Sequence, residues 1–221
     1  MQLYLIRHGQ MAGDPHEFYR PPVSGCLSEL GVRQADALAE ALRDVRFDAI
    51  YASPLGRAIQ TAQPLAAGGG VEIEVLEWLR EWIPATVTGE ADQTQYERIM
   101  ADASAIPPEQ AWKTPAGEGT FEMAHRIVPP FLRLLSEHGV HARHGGYVLD
   151  DPEDDRRIAL VAHGGSLGLL LAFILGVPLR PYSPIGFAYT GVAIVGFVQR
   201  VNVWYPVLRI PAPGRDQGVP T

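Results

Sequence analysis

Two short apolar runs in this chain end in a histidine followed by glycine. Leu3-Tyr4-Leu5-Ile6 runs into Arg7-His8-Gly9-Gln10, and residues 158–162 run into His163-Gly164-Gly165. Between them stand Ser53-Pro54-Leu55-Gly56-Arg57 and Leu79-Arg80-Glu81. A neutral imidazole is a nucleophile competent toward phosphorus, and the P–N bond it forms is labile enough for water to break in a second step. Arginine presents a planar fork of donors that matches phosphate oxygens, and charge stabilisation is most of what phosphoryl transfer asks of a protein. His8 with Arg7, Arg57 and His163 is therefore a set suited to phosphoryl transfer. One histidine attacks, the arginines hold the phosphoryl oxygens, and the second histidine donates to an equatorial oxygen. The leaving alkoxide needs a proton, and Glu81 is the carboxylate at a matching place: protonated during attack, it then deprotonates water. Glu77, one helical turn away, meets the same chemical requirement. Gln10 and Gly164, each following close on a histidine, are further candidates for contact with the substrate.

These residues must be brought together by elements far apart in the chain. In an open α/β sheet the ligand crevice lies beyond the carboxyl ends of the strands, so a buried first strand delivers Arg7 and His8 to it, with Gly9 allowing a sharp departure. Residues 11–25, with Asp14-Pro15 and Pro21-Pro22, read as a loop at the mouth of the site. Ser28 is the expected N-cap of a helix with Ala35, Leu38, Ala39 and Leu42 at helical spacing, followed by a strand over 48–52. Residues 55–66 read as a helix with Arg57 in its first turn, where a cation opposes the helix dipole unless both address one anion.

Gly68-Gly69-Gly70 is expected as a break and 71–76 as a half-buried strand. Residues 84–115 lose periodicity apart from a helical piece around 93–103 and are read as a cap inserted over the sheet. Trp78, Trp82 and Trp112 are candidates to line its pocket, although aromatics fill cores more often. A helix over 120–137 is expected to be capped by Thr120 and broken or kinked at Pro129-Pro130. Residues 138–157 read as a polar loop, 158–162 as a buried strand, and 166–175 as a helix. Residues 191–198 and 201–209 read as strands joined by a turn across Gln199-Arg200, and 211–221 as a disordered tail.

A chain of 221 residues is long enough for one domain with a sizeable core, expected over residues 1–210. No stretch approaches the ~20 uninterrupted apolar residues of a membrane span; the longest, 167–177, is interrupted by Gly168 and Gly176. The apolar strand begins too near the first residue to leave room for a secretory signal, so the expected location is the cytoplasm. A lone Cys26 excludes an internal disulfide and a thiolate metal cluster. His138, His141 and His144 are spaced like ligands, but Gly139 and Gly145-Gly146 interrupt the helix that would align them, so no metal is expected there. With 18 basic and 25 acidic residues the formal charge is -7, which argues against nucleic acid or an anionic membrane as partner. The partner is instead a small phosphorylated substrate drawn by a local basic pocket. No cofactor is expected, and association into a homo-oligomer stays open.

The four motifs in their order resemble those of the histidine phosphatase superfamily, the phosphoglycerate mutase-like proteins. Leu27-Ser28-Glu29-Leu30-Gly31 with Gln34-Ala35, and Gly117-Glu118 with Arg126, extend the likeness from residue 3 to about residue 198. The resemblance implies that His8 is phosphorylated, that Arg7, Arg57 and His163 hold the phosphate, and that Glu81 is the acid. The expected fold is α/β: a three-layer α/β/α sandwich, with a mostly parallel central sheet, helices on both faces and the cap insertion. The expected activity is a metal-independent phosphomonoester hydrolase working through phosphohistidine on a small metabolite. The alternatives are a phosphoglycerate mutase-type phosphotransferase and a non-catalytic phosphate-binding protein. Gln10-Met11 where many members have Glu-Ser or Glu-Thr, Asp14 near the position of a mutase Asn, and Trp82-Ile83-Pro84 in place of Trp-Glu-Gly favour the phosphatase.

Overall fold

The computed structural model describes residues 1–12, 26–82, 98, 101–102, 105–107, 113–114, 117–143, 145–179 and 185–209. Most of the expected mouth loop with Asp14, most of the expected cap with Trp112, His144 and the expected tail lie outside the described residues. Among the described residues no helix is long and apolar enough to cross a membrane.

The sheet holds eight strands in the order β3-β2-β8-β1-β9-β10-β7-β6. They are β1 (Gln2–Arg7), β2 (Ala49–Ala52), β3 (Ile73–Val75), β6 (Val140–Arg143), β7 (Gly146–Leu149), β8 (Arg157–Ala162), β9 (Val192–Arg200) and β10 (Val203–Arg209). A separate pair, β4 (Lys113–Thr114) and β5 (Gly117–Glu118), is antiparallel. The helices are α1 (Glu29–Ala41), α2 (Gly56–Gly69), α3 (Thr120–Glu137) and α4 (Gly164–Ile174).

β1 explains the layering, because successive side chains of a strand point to opposite faces. Leu3 and Leu5 join a core with Ile127 and Phe131 of α3 and Leu167 and Leu170 of α4. Tyr4 and Ile6 join a second core with Leu38 of α1 and Ala58, Ala62 and Leu65 of α2. Both faces of the strand are buried by helices, which makes three layers.

Only half the sheet is parallel. β3, β2, β8 and β1 run the same way, while β9, β10, β7 and β6 follow through antiparallel pairings. The expectation of a mostly parallel sheet is corrected by two hairpins, since a two-residue connection allows only antiparallel pairing. One is the β9–β10 hairpin, whose turn falls at Val201-Asn202, beyond the Gln199-Arg200 expected, because Arg200 pairs with Val203. The other, β6–β7, occupies part of the expected polar loop, with Arg143 paired to Gly146.

Three local expectations also change. α2 runs through Gly68 and Gly69 and stops at Gly70, whose φ of 65° is the left-handed cap glycine adopts freely. α3 continues through Pro129 and Pro130; its stripe of Met123, Ala124, Ile127, Phe131, Leu134 and Leu135 is buried along its length, and that packing offsets the lost amide donors. Its N-cap is Gly119, with Thr120 already helical. Ser28 caps α1 as expected, accepting from the Gly31 amide.

Gly9 is required for a different reason from the one expected. A Cβ there would lie 2.6 Å from the Gly31 carbonyl oxygen, and a Cβ on Gly31 would lie 2.0 Å from that of Gln10. Two backbones cross at glycines, and this close approach seats α1 against the turn after β1. Alanine for glycine inside a helix ordinarily gains up to about 1 kcal/mol. Here Gly31→Ala is expected to cost about 1–3 kcal/mol through overpacking, read as a lower urea midpoint; an unchanged or raised midpoint would refute the crossing.

Candidate active site

Three parallel strands end side by side. Arg7 pairs with Ala162 and Val161 with Ala52, so the next residues, His8, His163 and Ser53, emerge at one edge of the sheet. All three are buried. The register that forms the core is therefore the register that assembles the site.

His8 is fixed at both ring nitrogens. Its Nδ1 lies 2.7 Å from the Gly9 carbonyl oxygen, which can only accept, so Nδ1 carries the proton and Nε2 the lone pair. Arg57 Nε donates to that Nε2 at 3.3 Å. Burial, with the charges of Arg57 and Arg7, pushes the His8 pKa down to about 3 against the opposing Gly9 bond. His163 is also held neutral, well below its ordinary value, chiefly by complete burial and then by Arg57, His8 and Arg7. Its ring centroid is 5.0 Å from that of His8. Both imidazoles are thus uncharged at neutral pH, as a nucleophile and a neutral donor require.

The arginines are carried on different elements. Arg57 enters from the first turn of α2 and is buried; desolvation is the main force lowering its pKa. Arg7 ends β1, donates through Nη1 to the Phe187 carbonyl, and stacks its guanidinium 4.4 Å from the centre of the Tyr189 ring. Among the described residues its buried Nε has no hydrogen-bond partner. Gly164 lies against that guanidinium, a Cβ there meeting Cζ at 3.6 Å, an ordinary contact.

Glu81 is seated on the N-terminus of α4. Its carboxylate accepts from the amides of Gly165 at 3.1 Å, Ser166 at 3.2 Å and Trp82 at 2.9 Å. The Gly165 and Ser166 amides are groups a helix start leaves unsatisfied and whose dipole favours an anion. A Cβ on Gly165 would fall 2.3 Å from Glu81 Oε1, so Gly165 is a glycine this arrangement demands. Glu77 lies exposed in a short 3-10 helix (Glu77–Leu79) and faces half-buried Arg80 at 3.5 Å.

Arg126 of α3 holds the Glu81 segment from behind. It grips the Glu118 carboxylate at 2.7 Å on each oxygen and donates to the carbonyls of Trp78, Arg80 and Glu81. Trp82 donates its indole N–H to the Glu118 carbonyl. Trp78 packs edge-on against Phe131 in the core.

Gln10 gives its side-chain oxygen to the Ser28 hydroxyl at 2.8 Å, binding the turn to the α1 cap. His138 bonds Tyr51 at 2.9 Å, while His141 sits between Ser136 and Asp150, so these two histidines have separate partners.

Several residues escaped the sequence reading. Thr61 accepts from the Gly9 amide at 3.0 Å and donates to the Arg57 carbonyl at 2.7 Å, coupling the elements that carry His8 and Arg57. Tyr189 lies 5.8 Å from His8, beside Thr190 with a φ of 52°. Neither belongs to a motif with chemistry of its own; only the buried polar Thr61, one turn after Arg57, left a faint signal.

The model of the histidine phosphatase superfamily (branch 1) matches residues 3–204. Glucosyl-3-phosphoglycerate phosphatase of Mycobacterium tuberculosis is 31% identical over 209 residues, covering 93% of this chain and 87% of its own. A probable phosphoglycerate mutase of Yersinia pestis is 31% identical over 180 residues, covering 80% and 76%. The structure of a mycobacterial glucosyl-3-phosphoglycerate phosphatase in complex with VO3 superposes with a TM-score of 0.71 at 27% identity, covering 95% of this chain and 97% of that one.

The buried neutral histidines make stability depend on pH. Folded His8 takes a proton only near pH 3, whereas in the unfolded chain a histidine does so near ~6.5. Between those values the unfolded state binds more protons, so this contribution to stability falls as pH drops from about 6.5 toward 3. His8→Asn is expected to flatten the decline of Tm between about pH 7 and 4 in thermal unfolding. Equal slopes in variant and wild type would rule out the buried imidazole as the source.

Proposed function

This chain belongs to the histidine phosphatase superfamily, and we propose that it hydrolyses the phosphomonoester of a small metabolite without a metal, through a phosphohistidine on His8. The observation that carries this reading is the state of His8: Nδ1–H bound to the Gly9 carbonyl and an Nε2 lone pair facing Arg57.

The substrate phosphate takes the donors of Arg7 and Arg57, releasing the Nε2 lone pair from Arg57. Nε2 attacks phosphorus in line; the P–N bond forms as the P–O bond to the leaving group breaks. Glu81 hands its proton to the departing oxygen, and His163 donates to an equatorial oxygen. In the second step Glu81 takes a proton from water, the hydroxide attacks phosphorus, and the P–N bond breaks to return neutral His8 and inorganic phosphate. The dianionic substrate favours the protonated Glu81 needed at the first step.

Similarity to the mycobacterial phosphatases supports a glycosylated phosphoglycerate as the first substrate to test. Residues 84–115, as a cap, would select among such esters. Charged esters of this kind do not cross a bilayer unaided, which supports the cytoplasm as the place of reaction. The mutase reading is less favoured, since Gln10-Met11 and Trp82-Ile83-Pro84 depart from the mutase pattern.

The test is phosphate release from glucosyl-3-phosphoglycerate, 3-phosphoglycerate, sugar phosphates and p-nitrophenyl phosphate with EDTA present. Turnover that persists in EDTA and disappears in His8→Ala is expected; no release from folded protein would overturn the phosphatase reading. Glu81 is tested by leaving group. Glu81→Gln is expected to lose roughly 100-fold to 10,000-fold on alkyl and sugar esters and much less on p-nitrophenyl phosphate, whose leaving group needs no proton. Gly165→Ala, which displaces the carboxylate, is expected to give the same selective loss; an equal loss on all esters would remove Glu81 as the acid.

A further inference from the structure

The proposed reaction leaves a question at His163: a neutral ring carries one proton, and only one of its nitrogens can present it to the phosphoryl group. We propose that Ser53 fixes this tautomer, holding the proton on His163 Nδ1 and making Ser53 a positioning residue for the reaction. The inference rests on the phosphatase reading for its consequence, but the tautomer itself is independent of it.

Ser53 follows β2 and is fully buried. Its amide donates to the Val161 carbonyl at 2.9 Å, which pins it to the strand that ends in His163. Among the described residues the hydroxyl oxygen has two hydrogen-bond partners, the Leu55 amide at 3.4 Å and His163 Nε2 at 2.7 Å. The amide can only donate, so the oxygen accepts there. A buried hydroxyl places its proton on an acceptor, and His163 Nε2 is the acceptor within reach. Nε2 therefore carries the lone pair and Nδ1 the proton.

Among the described residues the buried Nδ1 has no hydrogen-bond partner: the Ser166 amide, which the capping arrangement at the start of α4 sets against the ring, makes its bond to Glu81 at 3.2 Å instead, and the ring lies 5.0 Å from that of the nucleophile. An N–H without a partner at that place is suited to a phosphoryl oxygen. The opposite tautomer would strand the Ser53 proton and turn a lone pair toward an anion. Complete burial beside Arg57 and Arg7 keeps the ring from taking a second proton, so the serine decides where the single proton resides. This gives the first residue of the Ser-Pro-Leu-Gly-Arg stretch a role separate from that of Arg57.

The test reads the ring directly, by long-range proton–nitrogen NMR on protein carrying 15N-histidine, with His163→Asn used to assign the signal. Wild type is expected to show His163 protonated at Nδ1 and bare at Nε2, with and without orthovanadate. Ser53→Ala is expected to shift the ring toward protonated Nε2 and to lower kcat/KM by about tenfold to a hundredfold, short of the full loss of a transition-state donor. In a His163→Asn background Ser53→Ala should add little, because the two act through one group. Protonated Nε2 in the wild type would overturn the proposal even if the serine variant does not fold, and so would an unchanged ring and rate in a folded Ser53→Ala. If no ester is hydrolysed while the wild-type ring shows the Nδ1 tautomer, the phosphatase reading fails and the positioning role with it, leaving the tautomer assignment standing.

Discussion

Two arginines and two imidazoles share one desolvated corner of this protein, and the cost of that arrangement organises the rest. Removing guanidinium groups from water is expensive unless partners surround them. Arg7 is caught between the Phe187 carbonyl and the Tyr189 ring, and Arg57 faces the His8 lone pair. Burial, reinforced by the same positive field, keeps His8 and His163 uncharged. A cluster of this kind is complementary to an anion, and in a chain of net charge -7 it makes a local field opposite in sign to the overall charge.

Glu81 answers the opposite problem, a carboxylate held beside a cluster of cationic and neutral donors. Its negative charge is directed at the amides that begin α4, and the helix dipole compensates it there. The segment bearing it has only a short 3-10 helix of its own, so its position is imposed from outside. Arg126 supplies that through the Glu118 pair and three backbone carbonyls. The charged pair is largely buried, with side-chain exposures of 20% and 6%, a setting in which losing either partner leaves a costly unpaired charge. The position of Glu81 thus depends on α3, an element that places no residue in the proposed chemistry.

Backbone proximity does similar work on the other side. The Gly9 and Gly31 crossing brings α1 onto the turn after β1, and Thr61 ties that turn to α2. His8, Arg57 and the helix that carries Arg57 are consequently parts of one packed unit.

The sequence by itself determined the chemistry and the parallel half of the fold. Apolar strands ending in Arg-His-Gly and His-Gly, with Arg57 and Glu81 between them, are local patterns whose residue types limit what they can do. Burial on both faces made β1 and β8 legible as central strands. What escaped was set by contacts between residues distant in sequence. Pro129 and Pro130 stay helical because a buried stripe outweighs two missing donors, and the β6–β7 hairpin gains its place from a sheet edge invisible in a polar stretch. Tyr189 against Arg7, Gly165 beneath Glu81 and Ser53 against His163 join segments up to 182 residues apart in numbering (189 − 7). Local periodicity carries no record of which distant side chain will arrive, and only tertiary packing decides it.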